Sequence, residues 1–440
     1  MTAEIAIMNK EAIALAADSA VTINTGSGRK IYNTVNKLFA LTKYAPVGIM
    51  VYGRADLMGI PWESIIKAYR PVIGKKTFGT IDEYVANFLS FLRVNSRLLF
   101  PLEVQLQYFR QLTTSAFLQI RSRGEDKVKQ TISNKGKASP IDVQNAIDEA
   151  VEEYLKFVAS KARLAGVTDA RVKKLRRRHG KIVGSVRATV FQKLPLSSKA
   201  NSQLSSIPFE VFSRHVFSNS DSGVVIAGFG NDQIFPFLKH LIVGGVTDNF
   251  LRYEVARELK IEHGNHAFIK PFAQSEMVVS FMEGIDPTCD HVINSYWGTI
   301  MGQFPTDVAN AVPGLSAVEK QALIKKLLKA GESILKDFRK KLIDYQSEQH
   351  ISPVVDAIAV LPKDLLAEVA ESLVNLTSFK RRISMTSAET VGGPIDVAVI
   401  SRGDGFVWIK RKHYFKPELN PQFMSRYSGG VYGTPTPSKR

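Results

Sequence analysis

The second residue of the chain is a threonine, directly behind the initiator methionine in MTAEIAIMNKEAIALAADSAVT. A hydroxyl is a weak nucleophile at neutral pH and needs a base. A threonine at a free N-terminus carries that base on the same residue. Its α-amine has a reference pKa of about 7.7–8.0, is partly neutral at working pH, and can take the hydroxyl proton directly or through a water. Thr2 is small enough to follow a removable methionine, so loss of Met1 would expose it and no propeptide is needed. The competing reading is an ordinary residue at the start of a strand. Other reactive residue types are placed less suggestively. His263 and His266 stand three apart with no third ligand pattern, short of what a zinc site requires. Cys289 lies in DPTCD with no marker of an activated thiolate. As the single cysteine of the chain, it excludes an internal disulfide framework and implies a reducing, cytoplasmic setting. No cofactor is expected.

The charge balance raises a second kind of function. The chain has 58 basic and 41 acidic residues over 440, a net charge of +17. The densest part is RVKKLRRRHGK, Arg171 to Lys181. Such a run is expected to be a solvated helix face or loop, with nucleic acid or an acidic protein as alternative partners. There is no zinc-finger spacing, no aromatic RNA-binding consensus and no glycine-rich phosphate loop to strengthen a nucleic-acid reading. No apolar run approaches the length that spans a bilayer, so no membrane partner is expected. Glu4, Lys10 and Glu11 interrupt the first twenty residues and no basic stretch precedes them, so they do not read as a signal peptide.

The elements that must position Thr2 come from hydrophobic period. Residues 2–8 alternate, Asn9-Lys10-Glu11 makes a turn, and AIALAA runs to Asp18: a hairpin whose second strand is buried on both faces. A polar loop, INTGSGRKIYN, leads to strands at 35–42 and 46–53, close enough to pair. RADLMGIPWESIIKAY reads as a helix, and Thr80-Ile81-Asp82-Glu83 as a capping box opening another. Residues 96–217 change character to basic and helical, an inserted region almost without strand signals. Strands return at 222–230, 235–246 and 267–274. Helices follow from Pro287, from Ser316 and over 362–376. A hairpin turning at Gly403-Asp404-Gly405 closes the fold over 394–411. Residues 416–440 read as a disordered or extended tail. This order lacks the alternation of a doubly wound sheet and predicts two antiparallel sheets with helices on their outer faces.

At this point the chain resembles the proteasome β-subunit and bacterial HslV group of N-terminal nucleophile (Ntn) hydrolases. The resemblance rests on Thr2 and Asp18 sixteen residues apart, on Thr34-Val35-Asn36-Lys37 before a strand, and on IMVYGRAD with Gly53, Ala55 and Asp56. It also rests on the ending VGGPIDVAVISRGDGFVWIKR, with Gly392, Gly393, Asp404, Gly405 and Trp408. It covers residues 1–95 and 218–415; the 96–217 insert has no counterpart in it.

The resemblance implies a four-layer αββα α+β fold and a threonine-type amidohydrolase, most plausibly a peptidase acting through an acyl-enzyme on Thr2. Asp18 would hold Lys37 and the N-terminus in place. Lys37 would set a positive charge beside the Thr2 hydroxyl, favouring the alkoxide and lowering the α-amine pKa. The backbone N–H donors of an oxyanion hole fall on Tyr52 and Gly53, where the tyrosine replaces the group's glycine and its ring narrows the cleft or lines a substrate pocket. The group's remaining helper positions fall nearest Ser275 and Glu389. A peptide or protein substrate, a homo-oligomeric ring and an ATPase unfoldase partner follow from the resemblance. The alternatives are a proteasome-like scaffold that no longer cleaves and binds nucleic acid or a partner protein through its insert, and an amide hydrolase for a small molecule.

Overall fold

The N-terminal strand β1 (Ala3–Asn9) has every residue buried, because both of its faces are covered. Ala3, Ile5 and Ile7 pack on one side, Ala6 and Met8 on the other, the period of two that a strand imposes. Asn9 closes the turn by accepting the N–H groups of Glu11 and Ala12 on its Oδ1 (3.0 and 3.1 Å). The chain returns as β2 (Ala12–Ala17), in register with Glu4 opposite Ala17. The computed structural model describes residues 2–25, 28–218, 221–383, 392–422 and 425.

The remaining strands are β3 (Val21–Thr25), β4 (Gly28–Tyr32), β5 (Leu38–Ala40), β6 (Val47–Tyr52), β7 (Asp56–Leu57), β8 (Ile60–Pro61), β9 (Ser222–Gly228), β10 (Phe237–Thr247), β11 (Phe250–Lys260), β12 (Ala267–Ala273), β13 (Asp396–Ser401) and β14 (Gly405–Lys410). The protein is a mixed α+β fold with two five-stranded antiparallel sheets. One runs β12-β1-β2-β13-β14, the other β11-β10-β9-β6-β5. Ala6, Met8, Ile13 and Leu15 of the first sheet share an apolar cluster with Met50, Val225, Ala227 and Leu238 of the second.

Helices α1 (Trp62–Ile73) and α2 (Ile81–Val94) cover the other side of the second sheet, with Trp62, Tyr69, Tyr84 and Phe88 buried there. Thr80 caps α2 with the reciprocal Glu83 bond that the sequence predicts. The 96–217 stretch forms α3 (Ser96–Leu99), α4 (Leu102–Lys135), α5 (Pro140–Ala159), α6 (Asp169–Phe191) and α7 (Ser198–Ser213), with an apolar core of their own around Phe117, Tyr154, Leu175 and Phe212. After β12 come α8 (Glu276–Glu283), α9 (Pro287–Ala311), α10 (Ala317–Gln346), α11 (Ser352–Ala359) and α12 (Lys363–Ile383). Leu366, Ala370 and Leu373 of α12 pack on Ala14 and Val397 of the first sheet.

Several local expectations are corrected. INTGSGRKIYN is not a loop throughout: it forms the β3–β4 hairpin. The helix expected from Arg54 begins only at Trp62; before it Leu57 and Ile60 pair in the small β7–β8 hairpin, where Met58 and Gly59 take positive φ (54° and 90°). Pro61, which has no N–H to give, stands at the helix entrance. The strand expected over 35–42 shrinks to β5. Between the expected strands at 235–246 and 267–274 lies β11, which the sequence hides. It is an edge strand in which Glu254 is half-buried and Arg257 and Glu258 are exposed, so apolar alternation is broken. Of the expected 416–440 tail, the described part contains a short turn of 3-10 helix at Pro417–Leu419.

Candidate functional site

Thr2 extends β1 by one residue. Its carbonyl accepts the Gln274 N–H (3.0 Å), continuing the pairing of Ala3 with Ala273 on β12. The same alternation that buries Ala6 and Met8 between the sheets places Thr2 and Glu4 on that face. Thr2 is 4% exposed, and its Oγ1 is buried without a hydrogen-bond partner among the described residues.

Asp18 follows β2 directly and is fully buried. Both of its oxygens are used. Oδ1 accepts the Ala3 N–H (3.1 Å) and Lys37 Nζ (2.5 Å); Oδ2 accepts the N–H groups of Ala20 (3.3 Å) and Gly392 (3.1 Å). Its own N–H donates to the Ala3 carbonyl at 3.0 Å. One carboxylate therefore ties together the N-terminal strand, the chain after β2, the lysine before β5 and the glycine pair before β13.

Lys37 is held from its backbone by the Val51 N–H on β6, which donates to its carbonyl (2.9 Å). Its side chain is 4% exposed. Burial pushes the Lys37 ammonium below its usual pKa; Asp18 and Glu4 pull it back up, and Lys412 pushes it further down. Lys412 is itself paired with the buried Asp396 at the start of β13. A desolvated lysine paired with a carboxylate that also holds the Ala3 N–H is thus fixed at the head of β1, and a buried cation can favour a nearby anion.

Tyr52 ends β6. Its hydroxyl hydrogen-bonds His240 Nε2 on β10 at 2.7 Å, and its ring contacts Phe272 on β12 at 5.8 Å between centroids. The ring lies directly on Gly223, where any Cβ would come within 2.0 Å of it. The ring thus bridges the two sheets. Burial, then the nearby Glu4, push the Tyr52 hydroxyl up to about 12. Burial, then Lys270 and Arg257, push His240 down to about 4, so both partners are neutral at pH 7. Gly53 has φ +78°, and a Cβ there would meet the Asp221 carbonyl at 2.8 Å. Only glycine suits that turn.

Ser275 follows Gln274, the residue paired with Thr2, and starts α8 without a side-chain capping bond. Glu389 lies outside the described residues. The structure therefore brings Thr2, Asp18 and Lys37 to one end of the two sheets, sets Tyr52 and Gly53 at the end of β6, and places Ser275 one step beyond the Thr2 pairing.

Two site features were missed from sequence. Gly392 reaches Asp18 through a backbone N–H, which no residue type announces. Glu4 is buried to 2% exposure, and neither carboxylate oxygen has a hydrogen-bond partner among the described residues. Burial pushes its carboxyl well above the usual range; Lys37 pulls it down and Asp18 pushes it further up. A signal for it existed: Glu4 has the same strand parity as Thr2.

The other candidates lie elsewhere. His263 packs edge-on against Phe235, and among the described residues no three metal-ligating side chains gather. Cys289 is exposed in the first turn of α9. The basic run falls on α6 and is partly tied down. Arg171 stacks over Phe250 (4.8 Å), Arg176 over Phe209 (5.6 Å), and Arg178 pairs with Asp248 (3.1 Å). His179 is buried beside the same aspartate. Among the described residues no helix is long and apolar enough to cross a membrane.

No family model matches the chain, and no curated protein matches it. Among solved structures it is similar to Anbu (ancestral beta-subunit) from Yersinia bercovieri, at 9% identity over 99% of this chain and 100% of that one, TM-score 0.26. It is also similar to the Anbu (Gly-1) mutant from Hyphomicrobium sp. strain MC1, at 7% identity over 99% of both, TM-score 0.26. These findings correct the assignment to the proteasome β-subunit and HslV group. No model of that group matches, and the similar structures carry a different description. At such low identity and TM-score the likeness decides neither fold nor chemistry; those rest on the side chains above.

Proposed function

We propose that the chain is a threonine-type N-terminal nucleophile amidohydrolase, a peptidase, with Thr2 as nucleophile after removal of Met1. The observation that carries this reading is the shared Asp18 Oδ1, which accepts both the Ala3 N–H and Lys37 Nζ in a buried setting at the head of β1. In the proposed reaction the Thr2 α-amine takes the Oγ1 proton as the oxygen attacks an amide carbonyl. Lys37 steadies the negative charge on Oγ1, and Asp18 keeps Lys37 and the strand in place. N–H groups at Tyr52 and Gly53 receive the carbonyl oxygen as it becomes an oxyanion. The leaving amine departs with the proton and an ester remains on Thr2. Water, giving its proton to the freed α-amine, then hydrolyses the ester and restores the hydroxyl.

The same proposal takes the two sheets and their covering helices as a four-layer αββα arrangement. Residues 1–95 and 218–415 form the catalytic core, and 96–217 an inserted helical region. Ser275 is proposed near the amine on the strength of its place after Gln274. Assembly of several copies is also proposed, supported by exposed apolar side chains on α9 and α10 such as Tyr296, Phe304 and Ile334. The ATPase unfoldase partner rested on the group now set aside and is dropped.

The test is the intact mass of the purified full-length protein, with and without a β-lactone or epoxyketone. The expected result is a chain without Met1 that gains one adduct, lost in Thr2→Ala. Retention of Met1 in all molecules, or an adduct that survives Thr2→Ala, would overturn the reading.

A further inference from the structure

Two buried polar side chains without hydrogen-bond partners among the described residues lie on one face at the head of β1. They are Thr2 Oγ1 and the carboxylate of Glu4, both of whose oxygens are unpartnered. They lie two residues apart on the same face of the strand, roughly 6–7 Å along it. Unpaired polar groups at this depth are rare and expensive. Lys37, bonded to Asp18 at 2.5 Å, pulls the Glu4 carboxyl down through its charge but makes no hydrogen bond to it.

The groups facing Glu4 can be enumerated. Lys37 and Asp18 reach it from the segments before β5 and after β2, and Tyr52 from the end of β6. Lys412, beyond β14, acts on Lys37, and His240 on β10 stands behind Tyr52. On β12 the residue opposite Glu4 is Phe272. None of these supplies a donor to the carboxylate. Removal of Met1 moves the terminal ammonium one residue inward, onto Thr2, and an ammonium brings three donors.

Resting on the Thr2 reading, we propose that Glu4 is a positioning residue for the N-terminal nucleophile. Its carboxylate receives the Thr2 α-ammonium once Met1 is gone, and so sets the pH at which that amine becomes free to act as the base. The carboxylate and the ammonium together carry no net charge. In the resting state the ammonium is held by Glu4. When it loses its proton the amine is free to take the one on Oγ1. Lys37 remains with Asp18 throughout and need not serve two carboxylates.

The test uses the full-length protein and the rate of β-lactone adduct formation against pH. A carboxylate beside an ammonium raises the ammonium's pKa. Glu4→Gln should therefore move the acid limb of the labelling profile to lower pH by about one unit, making the variant roughly tenfold more reactive on the acid side. Glu4→Asp, which keeps the charge, should keep the wild-type limb. An unmoved limb in Glu4→Gln, with Thr2→Ala still abolishing the adduct, overturns the role of Glu4 and leaves Thr2 as nucleophile. No adduct on the wild-type chain overturns both. Should Glu4→Gln not fold, infrared spectra of wild-type protein decide. Protein retaining Met1, made with methionine aminopeptidase inhibited, and the mature chain should differ in their carboxyl bands, because only the mature chain brings an ammonium to Glu4. Identical spectra in that region overturn the proposal.

Discussion

Lys37 Nζ sits 2.5 Å from Asp18 Oδ1, and both side chains are almost completely shielded from water. The partners come from different connections: Asp18 ends the first hairpin, and Lys37 enters β5 in the opposite sheet. The pair is thus a tie between the two sheets at the end where Thr2 lies. Breaking a buried pair by removing one member leaves the other charged and unpaired, at a cost of about 3–5 kcal/mol. Lys37→Met and Asp18→Asn should each lower stability by that order in urea unfolding. Each should also lose the Thr2 adduct. The double variant should recover part of the stability but none of the labelling. Singles that unfold like the wild type would show that the tie is not energetic.

Tyr52→Phe separates the backbone of that residue from its hydroxyl. The ring still fills the space over Gly223, and the N–H proposed to receive an oxyanion is unchanged. His240 Nε2 loses its partner, which costs about 1–3 kcal/mol for a buried polar atom. Labelling of Thr2 should persist at near wild-type rate while the thermal midpoint falls. A collapse of labelling with unchanged stability would place the hydroxyl itself in the reaction.

The His240 environment predicts a pH dependence of stability with a definite sign. In the folded protein its pKa is depressed from 6.5 to about 4, chiefly by burial. The unfolded chain takes up the proton first as pH falls. Stability from this group is therefore complete above about pH 6.5 and is lost progressively down to about pH 4. The total is about 3 kcal/mol. Urea midpoints of wild type and His240→Gln, compared at pH 7 and pH 4.5, should converge at the lower pH. Parallel curves would contradict the assignment.

Arg252 on β11 anchors the helical region to the second sheet. Its guanidinium donates to the Phe212 carbonyl (3.3 Å), the Val211 carbonyl (3.3 Å), the Arg214 carbonyl (3.4 Å) and the Val216 carbonyl, and lies 4.0 Å over the Phe217 ring. Lysine cannot reproduce this planar fork. Arg252→Lys should cost about 2–4 kcal/mol by leaving buried carbonyls unpaired. Amide hydrogen exchange should quicken at residues 211–217 while labelling of Thr2 stays unchanged. Unaltered exchange there would remove Arg252 as the anchor.

Much of this molecule was legible along the chain because its signals are local. The alternation of AEIAIMN, the turn at Asn9, the Thr80 capping box, the helix start at Ser316 and the Gly403-Asp404-Gly405 turn each depend on neighbours within a few residues. Thr2 drew notice from its place behind Met1, whereas Asp18 and Lys37 were nominated by the resemblance and not by local pattern. What the sequence could not decide were relations across the sheets. β11 was hidden because an edge strand need not be apolar, and its partner β10 is what makes it a strand. Whether Lys37 meets Asp18 depends on two sheets stacking in one register. The isolation of Glu4 depends on every element packed around it. The Gly392 bond to Asp18 joins backbone 374 residues away to a side chain. Local pattern is carried by covalent neighbours and steric period. Pairing, burial and the pKa shifts that follow belong to contacts between residues far apart in the chain, and these exist only once it has folded.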